Sequence, residues 1–410
     1  MSVTKSLWAA VLWTLMGVGI VLCFLLWLYA GRLMPSGNPN RDREMRPRAD
    51  LMMFYGSALL LRQSPRQLYD ENRQGESQKS ATGLDISGTD IDFLPYPYPP
   101  VVAFAFVPLT VFQYPTAYVL MMLINFLALG ISLWLLSSRF NLDQAQNQML
   151  ALCTMAPLSV YVVFLQGQVS FFVLLLYVLV ITNLRMGRDR AGGLWAGLLA
   201  FKPTCLPVWL FWFAIRRRWR ALGYALAVNG AIGIASILLV GVDGLMGYLH
   251  MSEKMIRGEF HTVLPTDMPT LKAVTYYFGL GNFVWLGACA AVLVALARAA
   301  PPTDWEYCAV IIAAILVAPH MHPQELVLLL IIVAIVLAER RVGVPVWTRW
   351  SLFAFMLAQS AARVLLSGPR GTHWPVIPLG LLVIFAYFLR VSGRSRLGAT
   401  QLPAQEIANA

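Results

Sequence analysis

Residues 191–220 read AGGLWAGLLAFKPTCLPVWLFWFAIRRRWR. The apolar part is long enough for one membrane crossing, which takes about 20 residues. Yet basic residues flank it on both sides, Arg190 before it and Arg216, Arg217, Arg218 and Arg220 after it. Lys and Arg in short loops mark the cytoplasmic side of a membrane protein, so a single crossing would strand one of these clusters outside. The Lys202-Pro203 pair resolves the conflict, because proline ends or kinks a helix. Two short helices can then form a hairpin with both basic ends inside and Lys202 at the outer tip. Each half has about 11–12 residues, short for a full crossing, so the halves must be tilted or shielded by protein.

The rest of the 410-residue chain fits this setting. It is 58% hydrophobic and only 12% charged, with mean hydropathy +0.65. Soluble domains carry about a quarter charged residues, so the fold class is an all-α integral membrane protein. A net charge of +11 would suggest nucleic acid in a soluble protein. Here the basic residues sit in short loops as topology determinants, and no nucleic-acid partner is expected. The five cysteines, Cys23, Cys153, Cys205, Cys289 and Cys308, lie in or beside apolar runs without metal-site spacing. They read as buried side chains, with no disulfide framework or zinc site.

Walking outward gives a polytopic bundle of about 12 transmembrane helices, within a range of about 10–13. Leu7–Tyr29 reads as an uncleaved first span (residues 1–30), since no A-x-A-like cleavage site follows it. Residues 31–115 form a long external loop with interfacial helices, Leu51–Leu61 and Val101–Phe112. Residues 116–241 hold further spans, Thr116–Leu136, Met149–Leu165 and Ser170–Leu184, then the Lys-Pro hairpin and Ala221–Val240. Residues 242–272 are a second external loop. Residues 273–391 hold Ala273–Ala297, Trp305–Ala318, Glu325–Ala338, Trp350–Leu366 and Pro375–Leu389. Residues 392–410 are a cytoplasmic tail. Both termini fall inside.

On this topology the residues able to do chemistry gather at the external face: Asp50, Gln168, Lys202, His250, His261, His320, His322 and His373. Asp50 begins a helix, where an acid caps and complements the dipole. The competing reading is a general base at the membrane surface. Phe93-Leu94-Pro95-Tyr96-Pro97-Tyr98-Pro99-Pro100 alternates Pro and Tyr and reads as rigid and extended. Tyr96 and Tyr98 are belt residues or a stacking wall for a sugar. Lys202, a cation deep in apolar sequence, is functional by default and suits an anionic head group; the bland alternative is a snorkelling lysine. His320-Met321-His322 is a weak metal signal without a carboxylate cluster, and it favours hydrogen bonding to phosphate. No metal and no cofactor is expected, and there is no G-x-G-x-x-G or P-loop.

These marks together resemble the membrane-embedded GT-C glycosyltransferases. More narrowly they resemble glycosyltransferase family 87, the polyprenyl-phosphate-mannose-dependent α-mannosyltransferases. The resemblance is carried by Asp50 with Phe54-Tyr55 and Ala58, and by Leu68-Tyr69-Asp70. It continues through Tyr96-Pro97-Tyr98-Pro99-Pro100 with Pro108-Leu109, Gln166-Gly167-Gln168, and Gly197-Leu198-Leu199-Ala200-Phe201-Lys202-Pro203. Arg216–Arg218 with Trp219 and Ala318-Pro319-His320 complete it, over about residues 45–340. After Pro319-His320 the chain departs from some relatives, reading Met321-His322-Pro323-Gln324-Glu325. The resemblance implies transfer of a hexose, mannose in the family, from a polyprenyl-phosphate donor to a glycan or glycolipid acceptor. The reaction would invert at the extracytoplasmic face of the inner or plasma membrane. Asp50 falls on the family's acidic base. Lys202, His320, His322, Gln168, Tyr96, Tyr98 and Arg370 are the candidates for holding donor phosphate or sugar. A transporter or flippase for a lipid-linked saccharide is the rival from another class, and a non-catalytic lipid-binding subunit is a third.

Overall fold

A computed structural model describes residues 50–82, 93–260, 265–299, 304–339, 355 and 375–399. The predicted span Leu7–Tyr29, the predicted span Trp350–Leu366 apart from Phe355, and the residues His261, Arg370 and His373 lie outside the described residues. What is described is helical throughout, with no β-strand among the described residues.

The described residues begin with the segment from Asp50 to Phe112. Helices α1 (Leu51–Gln63), α2 (Glu71–Thr82) and α3 (Pro100–Phe106) pack around one aromatic cluster. The Phe54 ring stacks on Phe106 at 4.7 Å between centroids and touches Tyr98 at 4.8 Å. Such pairs contribute about 0.5–1.5 kcal/mol beyond simple burial. The Pro-Tyr segment between α2 and α3 is irregular, as its prolines require. Its backbone groups therefore bond to side chains instead of a helix ladder. Gln78 accepts from Leu94 N and donates to Leu94 O (2.9 and 2.7 Å), and Gln74 accepts from Tyr96 N (3.0 Å). Helix α1 was expected to lie at the interface. Instead nearly every residue from Leu51 to Leu61 is buried, because α2, α3 and a later helix cover it.

Next come α4 (Tyr114–Arg139), α5 (Gln144–Met155), α6 (Leu158–Gln166) and α7 (Ser170–Arg185). The single span expected over Met149–Leu165 is broken. Helices α5 and α6 meet at 58°, at Pro157, which has no N–H to offer a continuing helix. The 191–220 stretch forms α8 (Asp189–Leu198) and α9 (Pro207–Ile215), separated by two short 3-10 turns on either side of Lys202. The chain does come back on itself: Arg218 donates to Asp189 at 2.8 Å across 29 residues. Both halves are short, and α9 is shielded by protein, with Trp209, Trp212 and Phe213 fully buried.

Helix α10 (Trp219–Arg257) runs well beyond the expected end at Val240. Its helical geometry breaks at Gly241 (φ 74°, ψ 178°) and resumes. The predicted external loop thus begins as a helix, which lies against the segment carrying Tyr69 and Glu71. Tyr248 meets Tyr69 at 5.7 Å, and Lys254 pairs with Glu71 at 2.7 Å. Helices α8 and α10 pack through small residues, the usual device where backbones approach closely in a membrane. A Cβ on Gly193 would fall 2.2 Å from the Ala221 carbonyl oxygen.

The expected span Ala273–Ala297 is also divided, into α11 (Leu271–Tyr277) and α12 (Asn282–Arg298). Gly279, at φ +65°, turns the chain between them. Then follow α13 (Asp304–Val317), a 3-10 segment Pro323–Leu328, α14 (Leu329–Ala338) and α15 (Val376–Ala399). Among the described residues two helices are long and apolar enough to cross a membrane, α4 and α10, or three if α5 and α6 form one span. This falls well short of the expected dozen. The physical reason is breakage at Pro157, Lys202-Pro203, Gly279–Gly281 and Pro323, which cuts long apolar runs into short pieces.

The helices sort their charges end to end. Helix α7 starts at Ser170 and finishes at Arg185, about 24 Å away by helical rise. At that far end Arg185 forms a two-pronged pair with Asp304 (2.7 and 2.9 Å) and donates to Arg139 O (2.9 Å). Arg216 pairs there with Glu306 and donates to Ala299 O (2.8 Å). The other end of α7 holds the reactive groups.

Candidate functional site

The site is assembled by the turn between α6 and α7. Gly167 adopts φ +61°, the left-handed conformation that favours glycine. A Cβ there would also fall 2.8 Å from Leu51 Cβ. The absence of a side chain lets this turn press against the start of α1 and brings Gln168 to Asp50. The Gln168 amide donates to Asp50 Oδ2. In turn the Gln168 carbonyl accepts from Asn125 of α4 at 3.0 Å, and Gln168 itself is buried.

Asp50 makes no capping hydrogen bond to α1, and its own backbone is already helical. Of its two readings, the cap is therefore the one the geometry disfavours: the carboxylate turns away from the helix amides, towards Gln168. Burial pushes its pKa up from 3.8 to about 6, against the lowering effects of the Gln168 hydrogen bond and the Lys202 charge. Glu325 adds to the rise. A carboxyl with a pKa near 6 still ionises at neutral pH and is a stronger base than an ordinary aspartate. Asp70 does cap its helix, accepting from Arg73 N at 3.0 Å.

Two residues after Gln168, the Ser170 hydroxyl donates to Glu325 Oε1 at 2.7 Å. The same oxygen accepts from Lys202 Nζ, so Lys202 and Glu325 form a buried ion pair. Lys202 is 6% exposed and Glu325 0%, which rules out a snorkelling lysine. In the sequence Glu325 reads as an ionisable residue near a helix end, one that a transporter could use, and it is not among the candidate site residues. The one available signal was an acid set in otherwise apolar sequence two positions after Pro323.

Tyr98 lies among Lys202, Glu325 and Asp50, and burial raises its hydroxyl to about 12. Its backbone is held by Tyr69, whose hydroxyl donates to Tyr98 O at 2.6 Å. Tyr96 is different: it is fully buried in the aromatic cluster, and its hydroxyl donates to Pro99 O at 3.1 Å. His320 and His322 face each other, Nε2 to Nε2 at 3.2 Å. Burial, with Lys202 and Lys272 nearby, lowers His320 to about 4, so it is neutral at pH 7 and able to donate one N–H. His250 is exposed on the part of α10 beyond Gly241, near Glu253. No cluster of three or more His, Cys, Asp or Glu suited to a metal occurs among the described residues. Cys153, Cys205, Cys289 and Cys308 are free and buried.

Thus one end of α7 gathers a raised carboxylate, a buried cation, a tyrosine and a neutral histidine. A model of glycosyltransferase family 87 matches residues 96–319, more than half of the chain. The chain belongs to glycosyltransferase family 87. It is a GT-C-type membrane glycosyltransferase, a hexosyltransferase that uses a polyprenyl-phosphate sugar as donor and a glycan or glycolipid as acceptor. Nothing in the match favours the flippase alternative. The matched region contains Tyr96, Tyr98, Gln168 and Lys202, and it ends just before His320. Asp50 and Glu325 lie on either side of it. Neither curated proteins nor solved structures gave a match.

Proposed function

We propose that this glycosyltransferase inverts the sugar in one displacement at the extracytoplasmic face, with Asp50 as general base and mannose as the transferred hexose. Asp50 takes the proton from the acceptor hydroxyl as that oxygen attacks the anomeric carbon. The lipid phosphate leaves from the opposite face with the bonding electrons. The leaving phosphate needs positive charge and hydrogen-bond donors more than a proton. Lys202, the Tyr98 hydroxyl and the N–H of His320 or His322 supply them. The transition state is oxocarbenium-like, so the Asp50 carboxylate also offsets the developing positive charge. Mannose rests on the family resemblance, not on a side chain that selects it.

The observation that carries this reading is the Asp50–Gln168 contact, which takes the carboxylate away from helix capping and holds it close to Lys202. Gln168, first considered a donor contact, serves on this reading to orient the base. Tyr96 serves the loop core.

We also propose the finer topology. The chain as a whole, short and broken helices included, builds about 12 membrane segments. The Arg139, Arg185 and Arg216–Arg218 end faces the cytoplasm, in keeping with the positive-inside rule. The division at residues 30, 115, 241, 272 and 391 is part of this proposal, with the second external stretch opening on a helix.

The test is glycosyl transfer by the purified full chain in lipid, with polyprenyl-phosphate mannose and a panel of lipid-linked and glycan acceptors. Transfer by the wild type, inversion in the product and loss in folded Asp50→Asn are expected. Equal rates in the two proteins would remove Asp50 from the role of base.

A further inference from the structure

Glu325 is the residue that the transfer chemistry leaves without a task. It is fully buried on the 3-10 segment after His322. One oxygen takes both the Ser170 hydroxyl and the Lys202 ammonium. The other, Oε2, is buried with no hydrogen-bond partner among the described residues. A carboxylate that spends one oxygen on two donors and leaves the second unsatisfied is poorly served as a structural anchor, since each unpaired buried acceptor is costly. It is better suited to holding a cation that another anion will claim.

The surroundings agree. Lys202 stands at the tip of the α8–α9 break, where the chain has left helical geometry (φ -126°, ψ 83°). Tyr98, Asp50 and His320 all lie within reach of its charge. Glu325 approaches from a different element, the 3-10 segment that directly follows His320 and His322. An anion entering between Asp50 and the histidines would meet an ammonium that already has a carboxylate behind it. A buried lysine with no counter-ion would tend to lose its proton, because burial penalises the charged form.

We propose that Glu325 is the resting counter-ion of Lys202, a positioning residue that keeps the ammonium charged and aimed, and yields it to the phosphate of the lipid-linked donor. This rests on the assignment of Lys202 to the donor phosphate. The recognised chemistry is a prenyl phosphate head group. The phosphate competes with Glu325 for one cation, so Glu325 weakens ground-state binding and speeds release of the lipid phosphate product.

The experiment is equilibrium binding of farnesyl phosphate to the full chain in lipid nanodiscs, with farnesol and inorganic phosphate alongside. Relative to wild type, Glu325→Gln should bind farnesyl phosphate about tenfold more tightly, because the competing buried charge is gone and the bound phosphate itself then serves as the counter-ion that keeps Lys202 protonated. Lys202→Met should bind it at least about tenfold more weakly. Farnesol should be unaffected, and inorganic phosphate should bind far more weakly than the lipid form. A structural role for Glu325 predicts lower stability and no gain in affinity. The double variant Lys202→Met/Glu325→Met guards against a single variant that fails to fold, because removing both charges of a buried pair is often neutral for stability. It should fold and lose the phosphate-dependent part of binding. The proposal is overturned if Glu325→Gln binds no more tightly than wild type, or if the double variant keeps wild-type affinity. Binding is read without turnover. Lys202-dependent binding with no sugar transfer would therefore defeat the transferase mechanism and leave this inference standing.

Discussion

Gln168 donates its side-chain amide to the carboxylate of Asp50, 118 positions earlier in the chain. Two residues on, Ser170 does the same for Glu325. One short turn therefore holds both acids of the site, and Lys202 lies between the charges it must serve. This arrangement gives Asp50→Asn a clear expectation. The amide nearly matches the carboxylate in shape, so the fold should persist, and thermal stability should hold or rise because a partly desolvated charge is removed. Transfer should fall by roughly 10²–10⁴, the usual worth of a positioned base. Side-by-side melting curves and initial rates check both halves.

The pH dependence follows from the sign of the Asp50 shift. A base works ionised, and burial places its pKa at about 6. Below that value kcat/KM should fall about tenfold per pH unit, and above it the rate should level off. An acid limb near 4 would mean that the working base is an unburied carboxylate. A rate profile from pH 4 to 8, with stability followed at each pH, decides between them.

How much of this was legible in the sequence differs from element to element. The helix break at Lys202-Pro203 could be read because a topological conflict and a proline pointed to one place, and two short helices do flank it. The all-α class and the family were legible from composition and ordered motifs. The single spans over Met149–Leu165 and Ala273–Ala297 were misread, because hydropathy averages across the breaks that Pro157 and Gly279 make. Helix α2 was read only as polar sequence. Its Gln74 and Gln78, at i,i+4 spacing, point inward to satisfy the Pro-Tyr backbone, and a hydrophobic pattern cannot reveal a buried polar face. The pairing of Glu325 with Lys202 was not legible, because the two lie 123 residues apart.

Tyr96 and Tyr98 should separate sharply, although they were read as equals. Tyr96→Phe removes a buried hydroxyl from Pro99 O and should cost about 0.5–1.5 kcal/mol of stability with little change in kcat. Tyr98→Phe removes a hydroxyl from among Lys202, Glu325 and Asp50 and should raise the donor KM or lower kcat with stability nearly unchanged. Paired kinetics and denaturation on the two variants test the assignment. A reversed pattern would put Tyr96 at the substrate instead.

Gly167→Ala attacks the turn itself. A residue with a Cβ pays roughly 1–2 kcal/mol in the left-handed region, and here the new carbon would also meet Leu51 Cβ at 2.8 Å. Relief requires the turn to move away from α1, which carries Gln168 away from Asp50. Activity should therefore drop further than the stability loss explains, with the acid limb of the pH profile displaced as Asp50 loses its partner. Loss of stability alone, with the pH limb unmoved, would mean that Gln168 does not govern the ionisation of Asp50.

Gly193 provides a test remote from the chemistry. It sits where α8 meets α10, and a Cβ there would fall 2.2 Å from the Ala221 carbonyl oxygen. That atom belongs to the backbone and cannot swing aside as a side chain would. Gly193→Ala must push the helices apart, at about 1–3 kcal/mol by the usual cost of overpacking. Gly223, on the same α10 helix, has open space where its Cβ would stand, and alanine there should be neutral or slightly stabilising by helix propensity. Comparing the melting temperatures of the two variants isolates packing from propensity. Separation of α8 from α10 would also loosen the base of the hairpin whose tip carries Lys202, so Gly193→Ala should weaken prenyl phosphate binding while Gly223→Ala leaves it intact.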